Sequence, residues 1–385
     1  MRLGLFAAVV LASAAIPPTY AQEAQGEIQP EEITNVTIPE GTELLLSMDL
    51  ALNHVVDGRA YVMDADTLKL LGIIGTSNLG MVLIPQGSKD IYVATTHLSR
   101  TTRGERSDVV EVFSGDDLSF KEEIPISSNR AQALNYRSLF QPSAEHKYLF
   151  VQNATPATSV TVVDLAAKKQ IGDIPNPGCY GILPSAKTAS RFATLCGDGT
   201  LGTIDVKPDG TGEMKASGQI FDADNDAVFT SAFRWGDNWV LPSYGGNIYV
   251  VDVEGETARL VDKIEVSKGV EGDWRPGGYQ PLAVHDKNGL AYVLMHSKGA
   301  EGSHKNPAEE IWAVDLREKR LVGRSQSVPA IALTVSQGDR PALFAIDGLK
   351  AEVVRYDLPD ADQQFTLTPS ATAPGGDLPD QVEVR

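Results

Sequence analysis

The sequence predicts an all-β fold, a seven-bladed β-propeller. Three observations lead there. A strand-and-turn unit recurs seven times, helical periodicity is scarce, and 35 Gly and 22 Pro punctuate the 385 residues throughout. The unit ends on a short apolar strand such as Ala60-Tyr61-Val62-Met63-Asp64, usually closed by an acid. The closing positions are Asp64, Ser114, Asp164, Asp205, Asp252, Asp315 and Asp357, at spacings of 41 to 63 residues. Repeats of about 40–50 residues with four strands each mark propeller blades.

Each element of the unit has a local reason. An apolar strand precedes the closing one, as in Ile91-Tyr92-Val93-Ala94 and Tyr148-Leu149-Phe150-Val151. The turn Asp has a structural task, because its carboxylate can accept backbone N–H groups in a tight turn. A third strand follows, for example Leu68-Lys69-Leu70-Leu71-Gly72-Ile73-Ile74. Residues 95–108 and 296–310 exceed the blade plan and read as loops projecting from the disc, where function concentrates.

The ends are different. Leu3 to Ile16 is an apolar run behind a basic start, and Thr19 and Ala21 suit a signal-peptidase site. The expectation is a signal peptide over 1–21 and export to an oxidising compartment. No later apolar run has the roughly 20 residues a spanning helix needs. Residues 22–46 read as a polar N-terminal arm, 47–368 as the propeller, and 369–385 as a flexible Pro/Gly/Asp-rich tail.

Charge and chemistry narrow the function. The formal charge is −18, with 51 acidic against 33 basic residues, which argues against nucleic acid as partner. The two cysteines, Cys179 and Cys196, read as a disulfide across two adjacent strands, and two cysteines without clustered histidines make a poor metal site. The six histidines form no H-x-x-x-H or H-x-H pair; His296 and His304 share one loop. No nucleophile elbow, phosphate loop or dinucleotide fingerprint stands in a suitable context. No catalytic set is expected on this chain. That leaves a scaffold, a binding disc, or one subunit of an enzyme.

Three segments carry a resemblance. Thr102-Arg103-Gly104-Glu105-Arg106-Ser107-Asp108-Val109-Val110-Glu111-Val112-Phe113 is similar to a signature of the heavy chain of methylamine dehydrogenase and aromatic amine dehydrogenase. So are Trp274-Arg275-Pro276-Gly277-Gly278-Tyr279 and the pair Cys179-Tyr180 with Cys196-Gly197-Asp198-Gly199. The loop Gly302-Ser303-His304-Lys305 is closer to the aromatic amine branch. Together these span roughly residues 50–360 in the family's order.

The resemblance implies the large subunit of a periplasmic assembly of two heavy and two light chains. The light chain would carry tryptophan tryptophylquinone, leaving the four Trp of this chain as ordinary core or loop residues. A primary amine would be oxidised to aldehyde and ammonia, with electrons leaving to a blue copper protein of the amicyanin or azurin type. The family's heavy chain offers a Phe at the entrance to the quinone pocket. Aligning Gly72-Ile73-Ile74 places that position at Asn78, with Leu79 and Met81 as the nearest apolar substitutes. Arg100, Arg103 and Arg106 are candidates for the light-chain interface; the competing reading pairs them locally with Glu105 and Asp108. The rival functions are a stand-alone periplasmic propeller that binds without redox activity, and a propeller lactonase, whose metal cluster is not found in the sequence.

Overall fold

The computed structural model describes residues 37–49, 56–132, 136–360 and 363–385. The expected signal peptide and residues 22–36 of the expected arm lie outside these. The remainder of that arm is not all irregular, because a strand begins at Leu44.

The chain folds as an all-β propeller. Five four-stranded antiparallel sheets stand as separate blades. The first takes its innermost strand from the C-terminus: Pro379–Val384, then Leu44–Asp49, Gly58–Asp64 and Leu70–Ser77. The second runs Met81–Leu83, Asp90–Leu98, Arg106–Ser114 and Phe120–Ile126. The third starts at Phe140–Pro142, the fourth at Cys179–Pro184 and the fifth at Phe233–Trp235.

The remaining strands depart from the expectation of seven separate blades, for they form one eight-stranded sheet. Its continuity has one cause. Arg320–Val335 is a single 16-residue strand. Its first part pairs with Ala308–Asp315 and its last part with Ala342–Asp347. Where other blades are joined by a turn, Val328 precedes Pro329, and a residue before proline is pushed into the extended region.

A second expectation is corrected at the C-terminus. Residues 369–385 are not a flexible tail. Pro369–Pro374 pairs with Glu352–Asp357, and Pro379–Val384 pairs with Leu44–Asp49, with all six of its residues buried. The Pro-Gly-Gly-Asp composition belongs to the turn between these strands.

Burial follows position in the blade. The second strands are buried end to end, as in Leu44–Asp49 and Tyr148–Asn153, because neighbouring blades cover both faces. Outer strands are mostly exposed, as in Arg259–Glu265. The core therefore lies between blades: Phe150 of the third blade and Phe192 of the fourth pack with ring centroids 4.8 Å apart. Asp64, Asp164, Asp252 and Asp315 do what their position suggests, whereas Asp205 and Asp357 accept from the side chains of Arg191 and Arg355. Asp64 accepts the N–H of Thr67 at 2.8 Å, and Asp315 accepts those of Arg317 and Glu318 at 2.8 and 2.9 Å. In an antiparallel meander alternate turns fall at opposite ends. The links between blades and the turns between second and third strands therefore share one face, and the acidic turns share the other.

Candidate functional site

On the face that carries the blade-to-blade links, the turn at residues 77–80 joins the first blade to the second. It is tight and strained. Ser77 and Leu79 both sit at φ +48°, in the left-handed region that L-residues enter at a cost. Gly80 is required by close approach: a Cβ there would lie 2.1 Å from the Thr76 carbonyl oxygen. Strain of this kind persists only where the surroundings hold it.

The clamp is Arg130, which the sequence reading did not single out. Its side chain is almost wholly buried. Nη2 donates to the Asn78 carbonyl and Nη1 to the Leu79 carbonyl, both at 2.7 Å. Nη2 also donates to Thr96 Oγ1 at 2.8 Å. Burial lowers its pKa to about 10, with Asp108 opposing the shift and Arg106 adding to it, so it stays charged at neutral pH. A planar fork with several donors can hold two carbonyls at once in a fixed geometry.

Asp108 anchors the clamp in turn. Its buried carboxylate accepts from Arg106 Nε at 2.8 Å and Arg106 Nη2 at 2.6 Å. It also accepts from Thr96 Oγ1 at 2.8 Å and from the main-chain N–H of Arg130 at 3.1 Å. All the acceptor positions of an ionised carboxylate are thereby engaged. Arg106 Nη2 reaches the Arg130 carbonyl as well, at 2.9 Å. Beside this network His97 Nε2 lies 2.9 Å from Glu111 Oε1.

These positions redistribute the expected site residues. Asn78 and Leu79 are half-buried at the turn, with their carbonyls held and their side chains partly open. Met81 is 4% exposed and belongs to the core between the second and third blades, so it lines no surface channel. The three arginines separate. Arg100 and Arg103 are exposed on the turn at 99–105, which is shorter than the loop expected over 95–108 because the flanking strands reach Leu98 and Arg106. Arg106 is turned inward onto Asp108, so the local reading holds for it.

Cys179 and Cys196 form a disulfide between registered partners of neighbouring strands, as expected. His296 is buried and its pKa is pushed down by that burial, whereas His304 stacks on Tyr244 with ring centroids 4.2 Å apart. Among the described residues no group of three or more His, Cys, Asp or Glu could hold a metal ion. Trp274 and Trp312 meet at 5.2 Å, with Arg324 lying 4.5 Å over each ring. Their indole N–H groups donate to the Glu271 carbonyl and to Glu310 Oε2. The two indoles thus form a hydrogen-bonded stack capped by Arg324.

Comparison with known proteins bears on the whole disc. Among solved structures, a putative 6-phosphogluconolactonase from Bacteroides fragilis superposes with a TM-score of 0.60 at 10% identity, over 91% of this chain and all of that one. Dihydro-heme d1 dehydrogenase NirN superposes with a TM-score of 0.55 at 12% identity, over 86% of this chain and 63% of that one. At such identities the likeness concerns the fold alone. The methylamine dehydrogenase heavy chain of Methylophilus methylotrophus is 26% identical over 352 residues, covering 89% of this chain and 86% of that one. That of Paracoccus versutus is 28% identical over 308 residues, covering 77% and 70%. The family model of the methylamine dehydrogenase heavy chain matches residues 45–363, nearly the whole propeller, and the chain belongs to that family.

Proposed function

We propose that this chain is the large subunit of a periplasmic, quinone-dependent amine dehydrogenase. The family match across residues 45–363 supports this reading most directly. In it, the chain is exported, and a small light chain carries the tryptophan tryptophylquinone. Two heavy and two light chains assemble, and electrons pass to a blue copper acceptor. The quinone, when present on its own chain, supplies the oxidation of a primary amine to aldehyde and ammonia. This chain contributes a stiff platform that excludes water from the joint site and fixes the approach of the amine. The disc counts seven blades if the eight-stranded sheet is taken as two blades fused along Arg320–Val335.

The rim of the amine channel is placed at the Asn78 turn. Asn78 and Leu79 present their side chains, and Arg130 acts as a positioning residue beneath them. Arg100 and Arg103 face the light chain, where rim charges set orientation and association rate more than affinity.

The test is assembly followed by chemistry. A neighbouring reading frame should encode a small, Cys-rich exported chain with two suitably placed Trp. Co-expressed and purified together, the two should show quinone absorbance that an amine bleaches. A colourless monomer indifferent to amines sinks the reading and leaves a stand-alone binding disc.

A further inference from the structure

The far face of the disc, opposite the Asn78 turn, opens into a cavity of about 260 Å³ at the mouth of the central channel. Arg137, Arg234 and Arg385 all line it. They come from three different places in the ring: the link before Phe140–Pro142, from which the Arg137 side chain reaches across to Glu383 of the innermost strand, the strand Phe233–Trp235, and Arg385 just beyond Val384. In a protein of formal charge −18, three guanidinium groups around one small cavity run against the average composition.

Their pairing is incomplete. Arg137 Nη1 lies 3.3 Å from Glu383 Oε2, and its guanidinium sits 4.4 Å over the Phe233 ring. Arg385 uses Nε on the Ile84 carbonyl at 3.1 Å. Arg234 donates through Nη2 to the Pro184 carbonyl at 2.6 Å, yet its Nη1 is buried with no hydrogen-bond partner. A buried donor left unmade is costly, more so on a charged group. Acids are also present. Glu145 and Asp286 line the same mouth, and Asp286 already accepts the Gly236 N–H at 2.5 Å. Burial first, then repulsion from Arg385 and Arg234, brings Arg137 down to about 10, with Glu383 opposing the shift. Arg137 therefore feels both of the other cations, and an anion among them would relieve that repulsion.

We propose that this channel mouth binds a small oxyanion, a carboxylate or phosphate group, held by Arg137, Arg234 and Arg385. The planar fork of guanidinium matches both groups, and a charge-assisted bond to Arg234 Nη1 would satisfy the orphaned donor. The site is independent of the amine and quinone chemistry, since it lies on the opposite face and needs neither.

The full chain, with any subunit that co-purifies, is titrated with inorganic phosphate and separately with succinate. Sodium chloride at matched ionic strength is the control. Isothermal calorimetry and the thermal midpoint are the readouts. The expected result is saturable binding of one or both oxyanions with a raised midpoint, and roughly tenfold weaker binding in Arg234→Gln, as loss of one charged hydrogen bond implies. Which anion binds more tightly tells a phosphate ligand from a carboxylate one. Arg385→Gln, which disturbs only the bond to Ile84, should also weaken binding and serves if Arg234→Gln fails to fold. The proposal is overturned if chloride matches both oxyanions, or if the folded variants bind as tightly as the parent.

Discussion

Arg130 makes the sharpest prediction at the scale of single residues. It holds two main-chain carbonyls of a strained, half-buried turn and one buried hydroxyl. Arg130→Met leaves those acceptors unmade, a loss on the order of 3 kcal/mol. Urea denaturation measures it; a loss below about 1 kcal/mol would mean the turn holds itself. Asn78→Phe tests the rim above it. With the turn pinned, a larger side chain has to project outward, so activity toward bulky amines should fall more than toward methylamine. An unchanged profile across amine sizes moves the channel elsewhere. The sequence could point to Asn78, which follows a recognisable strand, but not to Arg130. Its partners are carbonyls 51 and 52 residues earlier in the chain, and a carbonyl has no residue type to recognise. Met81 was misplaced for the converse reason: apolarity alone does not tell a channel wall from a core.

Asp380 carries the pH prediction. It is buried on Pro379–Val384, and neither carboxyl oxygen has a hydrogen-bond partner in another residue. Burial first, then the nearby Asp49, pushes its pKa well above the ordinary carboxyl range, against its own main-chain N–H. A folded-state pKa above the unfolded one gives a definite sign. The stability is complete below the unfolded value of about 3.9 and declines as pH rises through the folded value. Asp380→Asn removes the ionisation. Its thermal midpoint should match the parent near pH 4 and exceed it near pH 8. Equal midpoints at both pH values would show that Asp380 ionises without penalty.

Among the elements, the fourth blade is the one closed covalently. Cys179 and Cys196 join registered residues of its first two strands, 17 positions apart. Cys179→Ser with Cys196→Ser should lower stability by about 3 kcal/mol, from the freer unfolded chain. Denaturant midpoints of the parent with and without reductant give the same comparison. A reduced protein as stable as the oxidised one would show that the ladder alone suffices. This pairing could be read in advance because both cysteines sit on recognisable apolar strands. The turn acids were readable for a like reason, since each follows its strand directly. The outer strands and the fused sheet were less so. Whether Val328-Pro329 makes a turn or continues a strand depends on the ladders on either side, which local composition does not contain.

For the whole molecule the question is how the ring is held shut. The N-terminal Leu44–Asp49 would be an open inner edge of the first blade without Pro379–Val384 beside it. The joint is well buried: Leu45, Leu46 and Met48 on one strand, Val382 and Val384 on the other, are each at most 2% exposed. Burying one such side chain is worth about 1.5–3 kcal/mol, against a total stability of roughly 5–15 kcal/mol for a typical protein. Removing residues 379–385 therefore deletes a large share of the margin and exposes a strand edge, which invites aggregation. The truncated chain should lose its cooperative thermal transition or precipitate on expression. Val382→Ala alone should keep the transition and lower its midpoint by a few degrees. A truncated chain that melts cooperatively at the parent's midpoint would show that closure of the ring contributes nothing. In that case the first blade would have to be stable with three strands, its inner edge open to water.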